Sequence, residues 1–252
     1  MSTLAVFDAE RIKLSTTRSA LWSVVGVAVL SFGIAALQGW SAYGLSALPP
    51  QKAALGVAVF GVPVLMILAS MTVTGEYRSG LIRTTFLATP NRTAVLVAKA
   101  VVAAAFSSLC AALMVIAAVI VARLVAEPMV GAQLSLANPA VWGVAGGIAL
   151  YAALAAVLGV AVGALLRVAA GAVAVLLLWP LVAEPLLGNM PSSGPAIGPW
   201  LPFANMFRYL GVEWLFPAYS TPWGEMGSLL YFVAVVAAAF VAAAVVLNRR
   251  DA

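Results

Sequence analysis

The chain has very few charged residues and no histidine. Only 8% of its 252 residues are Asp, Glu, Lys or Arg, whereas 64% are hydrophobic. Polar surface this scarce does not cover a water-soluble domain of this size, but a lipid bilayer requires no such cover. The composition therefore argues against a soluble domain and predicts an all-α integral membrane protein.

Residues that catalytic and metal sites commonly use are also missing. The single cysteine, Cys110, lies in an apolar run, so the chain has neither an internal disulfide nor the Cys/His set of a soft metal site or nucleophile. No G-x-x-x-x-G-K-[ST] phosphate-binding loop occurs in the sequence. We therefore expect no enzyme activity, no metal and no cofactor bound by this chain.

The eight acidic residues avoid the middle of the long apolar stretches. Carriers driven by protons or sodium ions usually need an ionisable group near the membrane midplane. Glu184, towards the outer end of one stretch, is the nearest candidate, and we interpret its side chain as extending to the outer interface. The composition suggests a translocation pathway that lacks its own source of energy.

What the chain does have is a series of uncharged stretches of membrane-spanning length. About 20 helical residues cross the hydrocarbon core, and six spans are predicted, at residues 20–37, 53–73, 94–122, 140–166, 168–187 and 226–247. Gly61 and Pro63 predict a kink in the second span, and Asn138-Pro139 marks the start of the fourth. We expect residues 1–252 to form a single transmembrane domain.

The Lys and Arg residues are distributed unequally between the two sides of such a domain. With alternating spans, ten lie on the side of the termini and three on the other. The positive-inside rule then places both termini in the cytoplasm, as for a multi-pass protein of the cell (inner) membrane. Because these charges cluster at span ends, they indicate orientation in the bilayer rather than a nucleic-acid partner.

Two segments are not predicted to span. Residues 4–18 (LAVFDAERIKLSTTR) are too short and too charged, and we expect an interfacial helix with Phe7, Arg11 and Leu14 on one side; a merely basic tail is the alternative. Residues 188–224 are rich in proline and aromatic residues, and a short helix within 201–215 is expected to re-enter the outer interface. The aromatic residues singled out there are Trp200, Phe203, Phe207 and Trp214.

The largest polar segment, residues 75–93, lies between the second and third spans. Gly80 is expected to let the chain turn, Thr89-Pro90 to start the next helix, and Ile82 and Phe86 to share one helical face that fills an apolar groove on a partner. Glu76 is expected to pair with an arginine of the loop, Arg83 or Arg92. The alternative is that these residues are simply headgroup anchors.

This loop resembles that of the permease subunits of type 2 ABC exporters. The resemblance covers the six-span layout and the pattern E-x-R-x-G-x-I-R…P-x-R…K, which is carried by Glu76, Arg78, Gly80, Ile82, Arg83, Pro90, Arg92 and Lys99. It implies that the loop, including Phe86, docks on a separate ATP-binding cassette subunit, which holds ATP and Mg. It also implies an N-terminal elbow helix, re-entrant helices before the last span, a dimer of permeases and the direction of export.

Two other functions remain open from the residues alone. One is a secondary carrier or channel without an ATPase, and the other is a non-transporting membrane anchor or assembly subunit. An apolar pathway favours an amphipathic, lipid-like or drug-like substrate. Gly143-x-x-x-Gly147 and Gly159-x-x-x-Gly163 permit close helix packing, but such motifs more often pack helices within one protomer, so no face is assigned to a homo- or heterodimer.

Overall fold

The computed structural model of the chain describes residues 3–43, 48–212, 215–217 and 219–249, and it is helical without a strand in these ranges. The main helices are α1 (Thr3–Thr16), α2 (Arg18–Ser41), α3 (Val57–Ser79), α4 (Leu81–Ala88), α5 (Arg92–Val125), α6 (Pro139–Leu166), α7 (Ala169–Gly188), α8 (Pro202–Leu210) and α9 (Glu225–Arg249). Short helical turns at Pro50–Ala53, Pro128–Gly131, Ala132–Leu134, Gly194–Ile197 and Gly198–Trp200 lie in the connections.

Six of these helices, α2, α3, α5, α6, α7 and α9, are long and apolar enough to cross a membrane. The six predicted spans are therefore confirmed as helices. Several observed helices run past the predicted ends, because polar residues such as Gln38 and Glu76 continue the helix beyond the apolar stretch.

Helices α3 and α6 pack against each other at the centre of the domain. A Cβ atom at Gly163 would lie 2.8 Å from the backbone oxygen of Ser70, and one at Gly159 would overlap the backbone oxygen of Met66. Only glycine permits an approach this close. The Gly159-x-x-x-Gly163 motif therefore packs two helices of the same chain.

Two of the spanning helices contain a π-helical turn. One turn, Val57–Gly61, begins α3 just before Pro63, at the place where the sequence predicts a kink. The other, Trp179–Ala183, interrupts α7. The predicted break before α6 is also present, since the Asn138 side chain accepts a hydrogen bond from the backbone N–H of Ala140 and so caps that helix.

The two ends of the helix bundle carry different types of side chain. At the first, here called the basic end, the guanidinium of Arg92 donates to the backbone oxygen of Leu247 (3.1 Å), and that of Arg167 lies 5.0 Å from the ring centre of Tyr77. The opposite, aromatic end is formed by the described part of residues 188–224, including α8. Its Trp200 ring lies edge-on to Trp223.

Candidate functional site

The loop singled out in the sequence forms a short, well-defined helix at the basic end. Gly80 ends α3 with φ of 75°, in the left-handed region that side chains other than glycine rarely adopt. The chain turns there and enters α4 directly. The next spanning helix, α5, begins at Arg92 with the side chain of Asn91 as its cap. The expected start at Thr89-Pro90 is therefore wrong, since both residues precede the cap.

The two faces of α4 have opposite environments. Ile82 is 5% exposed, and Phe86 is half-buried against Val95 and Ala98 of α5 and Val6 of α1. Ile82 and Phe86 thus share a face, as expected, but that face is turned towards the chain's own core. The prediction that they fill a groove on a partner is therefore wrong, because a helix at the membrane end buries its most apolar face against its own spans.

The outward face of α4 carries different side chains. Leu81 is 55% exposed and Leu87 is 82% exposed, and Arg83 and Thr84 between them are exposed as well. Helical spacing places Thr84 opposite Ile82 and Phe86, flanked by the two leucines. A helix anchored on one side by apolar contacts thus presents two leucines and an arginine on its other side.

Glu76 pairs with lysines rather than with the loop arginines. Its Oε1 accepts hydrogen bonds from Lys99 Nζ (2.7 Å) and Lys13 Nζ (2.8 Å). Both lysines also donate to Glu10, with 2.7 Å from Lys99 and 2.8 Å from Lys13. The pairing of Glu76 with Arg83 or Arg92 is therefore wrong, because Arg92 lies over the Phe86 ring at 5.2 Å and bonds to α9.

We call Glu10, Lys13, Glu76 and Lys99 the ion cluster. Three of its members are almost fully buried, and only Lys13 is half-exposed. Burial opposes the charged form of Lys13, but its hydrogen bonds to Glu10 and Glu76 outweigh this and raise its pKa above the usual range. The ion cluster therefore joins α1, α3 and α5 with two positive and two negative charges.

Helix α1 is docked on the spanning helices through one face. Val6, Glu10 and Leu14 are buried at i, i+4 and i+8, and Leu14 packs with Ala20 and Leu68. Of the residues predicted to share a side, Leu14 is buried and Phe7 is half-buried. Arg11 is exposed and lies 3.6 Å from Asp8. The buried face is centred on Glu10, so the side that Phe7, Arg11 and Leu14 share lies at its edge and leaves Arg11 exposed.

Of the remaining loop residues, Arg78 and Pro90 are exposed.

The ion cluster itself was missed by sequence reasoning, which gave Glu10 and Lys13 no role. One feature of the sequence could have indicated part of it. Two successive helices joined by a short connection run antiparallel, so Glu76 near the end of α3 and Lys99 near the start of α5 are expected to lie close together. The contribution of α1 had no such signal.

At the aromatic end, Glu184 has a different position from the one predicted. Its side chain is fully buried rather than extended to the interface. One carboxylate oxygen accepts from Trp179 Nε1 (2.8 Å), and the other accepts from the backbone N–H groups of Phe203 (2.8 Å) and Ala204 (3.1 Å). Glu184 thus caps the N-terminus of α8 from a distant part of the chain.

The short helix predicted within residues 201–215 is observed as α8. Phe203 and Phe207 are buried and lie edge-on to the Tyr151 ring of α6 at 6.4 and 6.0 Å between ring centres. Trp200 is 56% exposed. Trp214 lies outside the described residues. The aromatic residues of this segment thus divide into a packed set and an exposed one.

The arrangement as a whole consists of α4, packed at one end of a domain with six helices that could cross a membrane. In the described ranges, no group of metal-ligating side chains is present. No protein-family model matches the chain, and no curated protein matches it at a significant level.

Proposed function

We propose that the chain is the membrane-spanning permease subunit of an ATP-driven exporter. In this proposal, two permease copies form the translocation pathway, and a separate ATP-binding cassette subunit, which holds ATP and Mg, contacts the basic end in the cytoplasm. The observation that carries the proposal is α4, a short helix that is fixed to the bundle by Ile82 and Phe86 and exposes Leu81 and Leu87.

The fixed side of α4 supports a role in transmitting movement. A partner that pushes on the outward face acts on a helix whose inner face is packed against α5 and α1. Glu76, one turn before Gly80, is joined to the same two helices through the ion cluster. Displacement of α4 would therefore reach three helices rather than one flexible loop.

The outward face also has the composition of a docking surface. Leu81 and Leu87 supply apolar contact area, and Arg83 supplies a charge that orients a partner. Such anchors account for much of the binding energy at protein interfaces, while exposed charges mainly set rate and register. We expect a groove with an acidic rim on the ATP-binding subunit.

The alternative of a secondary carrier gains little support from Glu184. A buried carboxylate in a spanning helix is often a transport site, but this one is occupied by three hydrogen-bond donors of the chain itself. A capping role accounts for each of these bonds. The substrate is proposed to be amphipathic and lipid-like or drug-like, as the apolar pathway suggests.

The test is capture of the chain from native membranes, followed by mass spectrometry and an ATPase assay. We expect an ATP-binding cassette subunit to co-purify, and the chain alone to hydrolyse no ATP. The double variant Leu81→Asp, Leu87→Asp should release that subunit, since loss of two interface anchors costs on the order of 2 kcal/mol or more.

The control is Ile12→Asp, which places one such charge on an apolar residue of α1 at the same end that is as exposed as Leu81 (55% for both). It should retain the ATP-binding subunit. Wild-type protein that captures no such subunit, or a double variant that retains it with coupled hydrolysis, would contradict the proposal.

A further inference from the structure

A groove of about 480 Å³ runs beside α3 at the basic end, between α1 and the start of α4. Its charged part and its apolar part lie at different levels of α3. Because an α-helix rises 1.5 Å per residue, the distance from Leu68 to Ser79 along α3 is about 16 Å. The lining side chains used below are Lys13, Arg78 and Ser79 at the polar part and Leu14, Leu68 and Met71 at the apolar part.

The polar part of the groove carries an excess of positive charge. The four charges of the ion cluster cancel one another. Arg78 is exposed, and no carboxylate of the described chain lies within ion-pair distance of it. Lys13 uses two of its three N–H groups within the ion cluster and is 46% exposed, so the third is directed away from Glu10 and Glu76.

The apolar part of the groove is a wall of aliphatic side chains. Leu14 and Leu68 pack against each other at its base. Met71, one turn nearer the basic end, is 38% exposed along the groove. Methionine is flexible and fits chains of varied shape. An occupant with an anionic group at one end and an acyl chain at the other would match both parts.

We propose that this groove binds an anionic phospholipid from the membrane leaflet at the basic end. Its phosphate would contact Arg78 and the free N–H of Lys13, and an acyl chain would lie along Met71, Leu68 and Leu14. A volume of several hundred Å³ suits a headgroup with part of a chain. Cationic headgroups are disfavoured because they would approach Arg78. The site requires only that the domain is embedded in a bilayer, so it stands whether or not the chain is a permease.

The test uses the full chain in detergent, freed of lipid, with native mass spectrometry as the readout. The probes are phosphatidylglycerol and phosphatidylcholine with identical palmitoyl and oleoyl chains. We expect tighter binding of phosphatidylglycerol. Arg78→Gln should weaken it about fivefold, the effect of one basic residue near an anionic lipid. Arg83→Gln removes the same charge from an exposed arginine that does not line the groove and should leave binding unchanged.

A second variant and a third probe complete the test. Met71→Trp fills the apolar part and should weaken binding of both lipids, and it serves if Arg78→Gln does not fold. Glycerol 3-phosphate should not displace the lipid; displacement would assign the site to a free phosphate instead. Equal binding of the two lipids, equal losses in Arg78→Gln and Arg83→Gln, or unchanged binding in Met71→Trp would each overturn the proposal.

Discussion

The basic end and the aromatic end hold their short helices by different means. At the basic end, α1 is joined to α3 and α5 by charges from distant parts of the chain, with Lys99 bonded to both Glu10 and Glu76. At the aromatic end, α8 is held by aromatic edge contacts and by one carboxylate, Glu184, on its N-terminal backbone groups.

This difference has a physical consequence for how each end responds to change. Paired charges in a buried site depend on one another, because loss of one leaves an uncompensated charge. Aromatic packing and a helix cap contribute more independently to the free energy of unfolding, because loss of one leaves the other intact. The basic end is therefore expected to fail as a unit, whereas the aromatic end is expected to loosen locally.

The largest expected effect concerns the side of the membrane on which each end lies. In a Cys110→Ala background, Ser79→Cys marks the basic end and Ser192→Cys marks the aromatic end; both serines are exposed. With the proposed orientation, a membrane-impermeant thiol reagent should label only the second variant in intact cells and both variants in opened cells. Labelling of Ser79→Cys from outside would reverse the two ends.

The next effect is on stability at the basic end. Lys99→Met should destabilise the protein by about 3–5 kcal/mol, because Glu10 and Glu76 are then left with Lys13 alone. Hydrogen exchange should rise throughout α1 and little in α8. Lys52→Met at an exposed lysine is the control and should have no such effect. Unchanged exchange in α1 would show that the ion cluster does not hold it.

A smaller effect is expected at the aromatic end. Glu184→Ala leaves the N–H groups of Trp179, Phe203 and Ala204 without their acceptor, which should cost about 2–3 kcal/mol. Exchange should rise in the first turn of α8, while α1 and α4 stay protected. Glu184→Gln keeps one acceptor oxygen, so its loss of stability should lie between that of the wild type and that of Glu184→Ala. A loss of protection against exchange at both ends would contradict the expectation that the aromatic end loosens locally.

Composition and periodicity predicted the spanning helices because each span is a local property of about 20 residues. The cap at Asn138 and the turn at Gly80 were also predictable, since both depend on the residue type at one position. Which face of α4 points inward was not, because periodicity groups Ile82 with Phe86 without giving the direction of that face.

For two of the three buried acidic residues, Glu10 and Glu184, the position was not predicted for another reason. Glu10 meets Lys99 across 89 positions of sequence, and the position of Glu184 depends on α8 folding back against α7. From sequence, an acidic residue near the end of a span is predicted to lie at the interface. It can be buried only where other parts of the chain bring hydrogen-bond donors to its carboxylate. For Glu184, two of the three donors are the backbone N–H groups of Phe203 and Ala204, which have no signature in the sequence.

The π-helical turn in α7 explains how Glu184 comes to face inward. The buried positions of α7 are Ala172, Leu176, Pro180, Glu184 and Gly188, a strict interval of four residues. In a regular α-helix of 3.6 residues per turn, that interval would drift by about 40° at each step. The π-helical turn at Trp179–Ala183 has more residues per turn, so it offsets part of this rotation and keeps Glu184 on the same face as Ala172 and Leu176. The length of this segment is therefore itself a constraint: removing a single residue here would turn the carboxylate away from α8, whatever that residue was.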